Sequence, residues 1–193
     1  MRIIQFPHPT LRRTSKPLRR VDDELRQIVR NMFDLMYQAK GIGLAANQVD
    51  LPYRMFVLNL TGDAAQPDEE QVFINPMLSE PKGSAEAEEG CLSLPGLYAD
   101  VRRPEIITVS AYNLMGQEIE ETIDGLFARA VQHETDHLNG VLFIDRLSPM
   151  TRLSLKDELE EFEIEFADRR QRGEIPDDEH ISARLAQLEE LRT

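Results

Sequence analysis

Two histidines that could bind one metal ion stand four positions apart in the segment His133-Glu134-Thr135-Asp136-His137. On an α-helix, residues i and i+4 share a face, so both imidazoles can reach the same divalent ion. Glu134 follows the first histidine and can act as a general base towards water at that ion. The spacing favours a hydrolytic metal site over two solvated histidines on an amphipathic helix.

A metal site that catalyses a reaction usually has three protein ligands and an open position, so two histidines leave one ligand to be found. A downstream glutamate would complete the ligand set of a metallopeptidase, and the candidates are Glu158, Glu160 and Glu161. A third histidine, three residues after Gly140, would complete the HExxHxxGxxH pattern of the metzincin peptidases. Phe143 stands at that position, which excludes the pattern. The glutamates therefore keep a metallopeptidase open as one interpretation.

Cys91 is the other candidate ligand and the only cysteine in the chain. A lone cysteine is often a small buried hydrophobic residue without a chemical role. Here Gly90 lets the backbone approach closely, and a nearby cation would deprotonate the thiol in spite of Glu88 and Glu89. A zinc-stabilised interaction module with a closed site would need a fourth ligand, and the spare histidines, His8 and His180, lie outside the motif.

A run of small residues at positions 41–48 (GIGLAANQ) could bring a backbone close to a substrate. Its Gly-x-Gly lacks the third glycine and the preceding strand of a dinucleotide-binding loop. Gln48, at the end of the run, could donate a hydrogen bond from a neutral amide into a cleft. By itself the run fits tight packing as well as it fits a substrate wall.

Charge and composition limit the classes of protein. The 193 residues include 35 acidic and 22 basic side chains, for a net charge of −13, which argues against DNA or general nucleic-acid binding. Residues 1–20 hold six basic and no acidic side chains, and this arm is expected to pair with the chain's own acids. One cysteine excludes a disulfide scaffold, and the lack of a signal peptide or long apolar run predicts a cytoplasmic protein without a membrane partner.

Periodicity in the sequence predicts the helices and strands that carry these residues. An apolar stripe predicts a helix from an Asp22 cap to Lys40, with Gly41 as its left-handed stop. Helices are also predicted at 126–139, ending before Gly140, and at 148–172, with a loose helix over 174–193. Strands are predicted at 54–60, 71–75, 105–112 and 117–123, with a hairpin turn at 113–116.

The predicted elements make an α+β fold, with mixed or antiparallel sheets around a central HExxH helix and a helical C-terminal extension. The predicted domain organisation is a catalytic domain at 1–148 and an acidic extension at 149–193. The last 43 positions from residue 151 carry seven basic and thirteen acidic side chains, a net −6.

Three segments together resemble the peptide deformylase family, whose pattern is GxGLAAxQ, then EGCLS, then QHExDHLxG. In this chain they are residues 41–48, 89–93 and 132–140, in the same order. The likeness extends over about residues 1–148. The resemblance implies a hydrolase that removes the formyl group from N-formylmethionyl nascent peptides and releases formate.

The resemblance also implies roles for individual residues. The metal ligands would be Cys91, His133 and His137, with iron(II) as the usual metal, although zinc, nickel or cobalt would also suit these donors. Glu134 would be the catalytic acid and base, while Gln48 and the Leu92 N–H would donate to the formyl oxygen. The pocket for the methionine side chain would be lined by Ile42, Gly43, Leu94, Leu126 and the stem of Arg129.

The resemblance has two further implications, one for the cysteine loop and one for the C-terminal helix. Glu89 and Arg103 would form an ion pair that steadies the cysteine loop. Members of the family can dock on the ribosome through the C-terminal helix, but the net −6 of residues 151–193 disfavours contact with RNA here.

Overall fold

Seven β-strands and five α-helices form the protein, and the structure, a computed structural model, describes all of residues 1–193. The helices are α1 (Asp23–Gln38), α2 (Gly125–Leu138), α3 (Pro149–Ser154), α4 (Lys156–Gln171) and α5 (Asp178–Arg192). The strands are β1 (Gly43–Ala45), β2 (Met55–Leu58), β3 (Gln71–Lys82), β4 (Ala85–Cys91), β5 (Leu94–Arg103), β6 (Ile106–Tyr112) and β7 (Glu118–Asp124). The fold is α+β, as the sequence predicts.

The strands form two separate sheets in which every pairing is antiparallel. One sheet has five strands in the order β1-β2-β3-β6-β7, and the other is the hairpin of β4 and β5. β3 continues to Lys82, beyond the predicted residues 71–75. Its pairing with β6 shifts register around Pro76 and around Pro81, because a proline cannot donate to the ladder.

The hairpin of β4 and β5 was not predicted from the sequence. β4 carries three glutamates, at positions 86, 88 and 89, and most of the strand faces solvent, so it shows no apolar alternation. β5 does alternate over residues 97–103, where Leu97, Ala99, Val101 and Arg103 are buried. Pairing between the two strands, which local pattern does not reveal, brings Cys91 to the turn of the hairpin.

Helix α1 begins where the sequence predicts it, since the Asp22 carboxylate accepts a hydrogen bond of 2.9 Å from the Leu25 N–H. The predicted stop at Gly41 is wrong in its detail. The helix ends at Gln38, and the residue with the left-handed φ of 57° is Lys40. Gly41 instead lies against Leu92: a Cβ at position 41 would lie 2.7 Å from a methyl carbon of that side chain, which would have to shift.

Helix α2 carries the HExxH segment and lies within one residue of the predicted bounds. Every residue from Ala130 to Leu138 is buried, because the helix packs against β1, β2, β6 and β7. Gly140 follows with a φ of 74°, and a Cβ there would lie 2.5 Å from the Arg12 carbonyl oxygen. The N-terminal arm therefore lies against the end of the helix that bears both histidines.

The C-terminal part differs from the prediction in two ways. The helix predicted over 148–172 is broken at Leu155, whose φ and ψ of −99° and 11° end α3 before α4 begins. The last helix is not loose, because α5 buries Ile181 and Leu185 and ends at a buried Arg192. Its ion pairs, made by Glu189 and Arg192, connect it to the start of the chain.

No helix combines the length and apolar character that a membrane crossing requires. The domain boundary at residue 149 stays a prediction.

Those ion pairs confirm that the basic arm pairs with the chain's own acids. Glu189 of α5 lies 2.8 Å from Arg13 and 2.7 Å from Lys16. At the end of α5, Arg192 donates a hydrogen bond of 2.7 Å to Asp22, the N-cap of α1, and another to the glutamate in the first turn of α1. Through these contacts α5 links the N-terminal arm to the start of α1, although both are far from α5 in the sequence.

Candidate active site

A cysteine and two histidines converge at the place where the hairpin meets α2. Cys91 ends β4, and His133 and His137 lie one turn apart on α2. The His137 Nε2 lies 3.3 Å from the Cys91 Sγ and 3.3 Å from the His133 Nε2. All three donor atoms lie within 4.8 Å of one another. The structure thus brings together the three residues that the sequence predicts as metal ligands.

This geometry fits a transition-metal ion. With bonds of about 2.0–2.1 Å to nitrogen and about 2.3 Å to sulfur, tetrahedral ligand atoms lie roughly 3.4–3.6 Å apart. A thiolate and two imidazoles also form a donor set that suits iron(II), zinc, nickel or cobalt. The glutamates considered as alternative ligands, Glu158, Glu160 and Glu161, are exposed on α4 and are not part of the cluster.

The Glu89 carboxylate orients His133. Its Oε2 lies 2.9 Å from the His133 Nδ1, which leaves Nε2 directed at the cluster. Arg103 binds both carboxylate oxygens, at 2.6 and 2.8 Å, as predicted, and Arg129 binds Oε1 at 2.6 Å. Burial opposes ionisation of Glu89, but the hydrogen bonds from Arg103 and His133 hold its pKa well below the usual range. The carboxylate therefore stays charged and in place.

Asp136 is a specified position of the QHExDHLxG pattern, but it was assigned no role from the sequence. Its Oδ2 accepts a hydrogen bond of 2.7 Å from Arg103, and Arg146 binds both of its oxygens. Through these contacts Asp136 links α2 to the hairpin and to the segment after Phe143. The signal in the sequence was the place of this aspartate in the motif, and its burial explains why it needs charged partners.

Glu134 is 5% exposed, and its Oε2 has no hydrogen-bond partner within the protein. Burial raises the pKa of this carboxyl to about 7, although the charges of His133 and Arg103 act in the opposite direction. Gly43 of β1 faces the same carboxylate, and a Cβ there would lie 2.5 Å from its Oε1. The site therefore contains a buried acid with one carboxylate oxygen that has no hydrogen-bond partner in the protein.

Gln48 presents its amide nitrogen to the cluster. The residue lies in the short 3-10 turn Ala46–Val49, and its Oε1 accepts a hydrogen bond of 2.8 Å from the Ala45 N–H. Its Nε2 is consequently turned towards the Cys91 Sγ at 3.5 Å and the Ser93 Oγ at 3.3 Å. The Leu92 N–H forms no hydrogen bond within the chain. The Leu92 N–H is thus free, whereas the Gln48 amide would have to exchange its hydrogen bond to Cys91 or Ser93 for one to a ligand oxygen.

The residues predicted to line a pocket have unlike surroundings. Ile42 is half-buried, and Leu126, on the first turn of α2, is 57% exposed. Leu94 has no exposed surface and packs with Cys91 in a hydrophobic cluster, so it lies under the site. The guanidinium of Arg129 turns away to Glu89 and to the carbonyl oxygens of Ala85 and Val101, each at 2.9 Å. Their contact with a ligand stays a prediction.

Comparison with known proteins identifies the family. Residues 1–153 match the family described as Polypeptide deformylase. A peptide deformylase of Rhodopirellula baltica is 46% identical over 191 residues, which cover 99% of this chain and 94% of that protein. A crystal structure of the Plasmodium falciparum enzyme superposes with a TM-score of 0.83 at 38% identity, over 88% of this chain and 98% of that one. For Arabidopsis thaliana peptide deformylase 1B in complex with an inhibitor, the TM-score is 0.84 at 37% identity, with 92% and 97% covered. With these matches added to the convergent Cys-His-His cluster, the chain belongs to the polypeptide deformylase family.

Proposed function

We propose that the protein is a metal-dependent hydrolase that removes the formyl group from the N-terminal methionine of newly synthesised polypeptides and releases formate. The observation that carries this proposal is the convergence of Cys91, His133 and His137 beside the partnerless carboxylate oxygen of Glu134. The three residues would hold one divalent ion, with iron(II) as the proposed metal. Such an ion supplies Lewis acidity to the formyl carbonyl and lowers the pKa of water.

Glu134 then acts as the base and later as the acid. Its free Oε2 takes a proton from the attacking water, whose oxygen forms a bond to the formyl carbon. When the carbon–nitrogen bond breaks, the same carboxyl returns that proton to the departing amine. The products are formate and a peptide with a free N-terminal methionine.

Two donors stabilise the negative charge that develops on the formyl oxygen. They are the Gln48 Nε2, already turned towards the cluster, and the Leu92 N–H, which has no partner in the chain. Because both are held in place before the reaction, they need little reorganisation in the transition state. The methionine side chain would lie along Ile42, Gly43 and Leu126, with Leu94 beneath them.

The direct test is a formate-release assay on a formyl-Met tripeptide, with protein purified without oxygen and its metal content measured. We expect release of formate and of a free amine in equal amounts. The matched control is the acetyl-Met tripeptide of the same sequence, in which a methyl group replaces the formyl hydrogen and adds bulk at the reacting carbonyl. Cleavage of an internal peptide bond in place of formate release would support a metallopeptidase and contradict the proposal.

Substitution of Gly43 tests the position of the base. An alanine Cβ would lie 2.5 Å from the Glu134 Oε1, so the carboxylate must move in Gly43→Ala. We expect kcat to fall by about 10-fold or more, because a displacement of 1 Å can cost as much as ~10² in rate. Metal content should not change. Gly116→Ala is the control for a glycine-to-alanine change outside the site: a Cβ there meets nothing within 4 Å, so the φ of 73° makes backbone strain the only effect of that substitution, and activity should stay near the wild-type value. Equal activity of the two variants would show that Glu134 is not the base.

A further inference from the structure

We propose that Arg184, on the C-terminal helix α5, is a positioning residue that holds Gln48 in place through the turn at Asp50. The inference rests on the proposed function, in which Gln48 donates a hydrogen bond to the reacting oxygen. Helix α5 lies beyond residues 1–153, the part of the chain that matches the family description. The contact therefore joins Asp50, inside the segment that matches the family description, to a helix beyond that segment.

Asp50 directly follows the 3-10 turn that carries Gln48, and its φ of 64° lies in the left-handed region that L side chains rarely adopt. Arg184 contacts both the side-chain carboxylate and the main-chain carbonyl of this residue. Its Nη2 lies 2.5 Å from the Asp50 Oδ2 and donates a hydrogen bond of 3.0 Å to the Asp50 carbonyl oxygen. Since both the side chain and the main chain are held, the guanidinium fixes the conformation of the turn.

The other side of the turn is held by the N-terminal arm. The Thr10 hydroxyl donates a hydrogen bond of 2.6 Å to the Asp50 Oδ1, and the Ile4 N–H donates one of 2.8 Å to the Gln48 carbonyl oxygen. The side-chain amide of Gln48 depends on the same short turn, because its Oε1 is bound to the Ala45 N–H. A shift of Asp50 would consequently move both ends of Gln48.

Helix α5 is a firm support for Arg184. Ile181 and Leu185, on either side of it, are 3% and 2% exposed. Further along the helix, Glu189 and Arg192 are buried in ion pairs with the arm and with α1. The helix is thus fastened to the body of the protein by contacts that do not involve Arg184. Replacing Arg184 should release the turn and leave the helix in place.

The test is a double-mutant cycle with Arg184→Gln and Gln48→Ala, in formate release from a formyl-Met tripeptide. We expect Arg184→Gln to lower kcat by about 10-fold with little change in KM, because the donor acts on charge in the transition state. In the Gln48→Ala background the same substitution should cost less than about 2-fold, since residues that act through one another are not additive. Arg184→Lys, which keeps the charge near Asp50, should recover part of the loss.

Two controls separate this role from a general effect. Arg172→Gln removes one positive charge from an exposed pair with Glu174 and should keep wild-type kcat. Metal content and thermal midpoint should be unchanged in Arg184→Gln, because a half-exposed ion pair adds little stability. An equal loss from Arg184→Gln in both backgrounds, or no loss in either, would overturn the positioning role. Formate release by the wild-type protein tests the proposed function separately.

Discussion

Glu134→Gln is expected to lower kcat by about 10³-fold, within the range that general acid and base catalysis contributes. The amide has the size and shape of the carboxyl, so the packing against Gly43 is preserved. It cannot take a proton from water or return one to the amine. Because Cys91, His133 and His137 are untouched, the metal content should equal that of the wild-type protein.

The measurement is single-turnover and steady-state formate release, together with metal analysis of the same sample. Thr135→Val is a matched control on the same helix, because it keeps the side-chain shape and removes a buried Oγ1 that has no hydrogen-bond partner. That variant should keep wild-type activity. If Glu134→Gln retained more than about one tenth of kcat, the proton transfers would have to be assigned to another group.

Cys91→Ala is expected to remove most of the bound metal and with it the activity. Two imidazoles would remain, and a binding site of this kind requires three protein ligands. The loss of affinity should exceed the ~10–100-fold that follows from removing an outer hydrogen-bond partner of a ligand. The fold should persist, because Cys91 is one small member of a cluster of 12 buried hydrophobic residues.

The check is a titration of apo-protein with cobalt(II), in which thiolate coordination gives a near-ultraviolet absorption band. Wild-type protein should show the band, and Cys91→Ala should lack it and bind more weakly. Ser93→Ala, two positions away, changes no metal donor and serves as the control for metal content. Full metal occupancy and activity in Cys91→Ala would refute the ligand set. Peptidase activity that survives this change would instead favour a glutamate ligand.

Local pattern was sufficient for the elements whose cause is local. The stripe of α1 and its Asp22 cap predicted that helix, and the four-residue spacing of His133 and His137 placed both rings on one face of α2. These predictions succeed because a helix is held by hydrogen bonds between near neighbours. The left-handed position at Lys40 was missed because glycine is the more common residue there.

The charges of the last forty residues show where local pattern is insufficient. The sequence predicts a loose helix over 174–193, and a run of acidic and basic side chains is indeed typical of a solvated face. The structure instead buries Glu189 and Arg192 against partners from the start of the chain. Pairs over such separations leave no periodic signal, and Arg184 and Asp50 belong to the same class of contact.

The amino-acid sequence was sufficient to predict the fold class, the HExxH helix and, through three ordered motifs, the family. Its residues alone left the third ligand open between Cys91 and a downstream glutamate. The tertiary structure was needed to show that Cys91, 46 positions before His137, brings its sulfur within 3.3 Å of that ring. Local pattern does not show this, because β4 is polar and becomes a strand through its pairing with β5, and the buried Glu89–Arg103 pair then holds this hairpin beside α2.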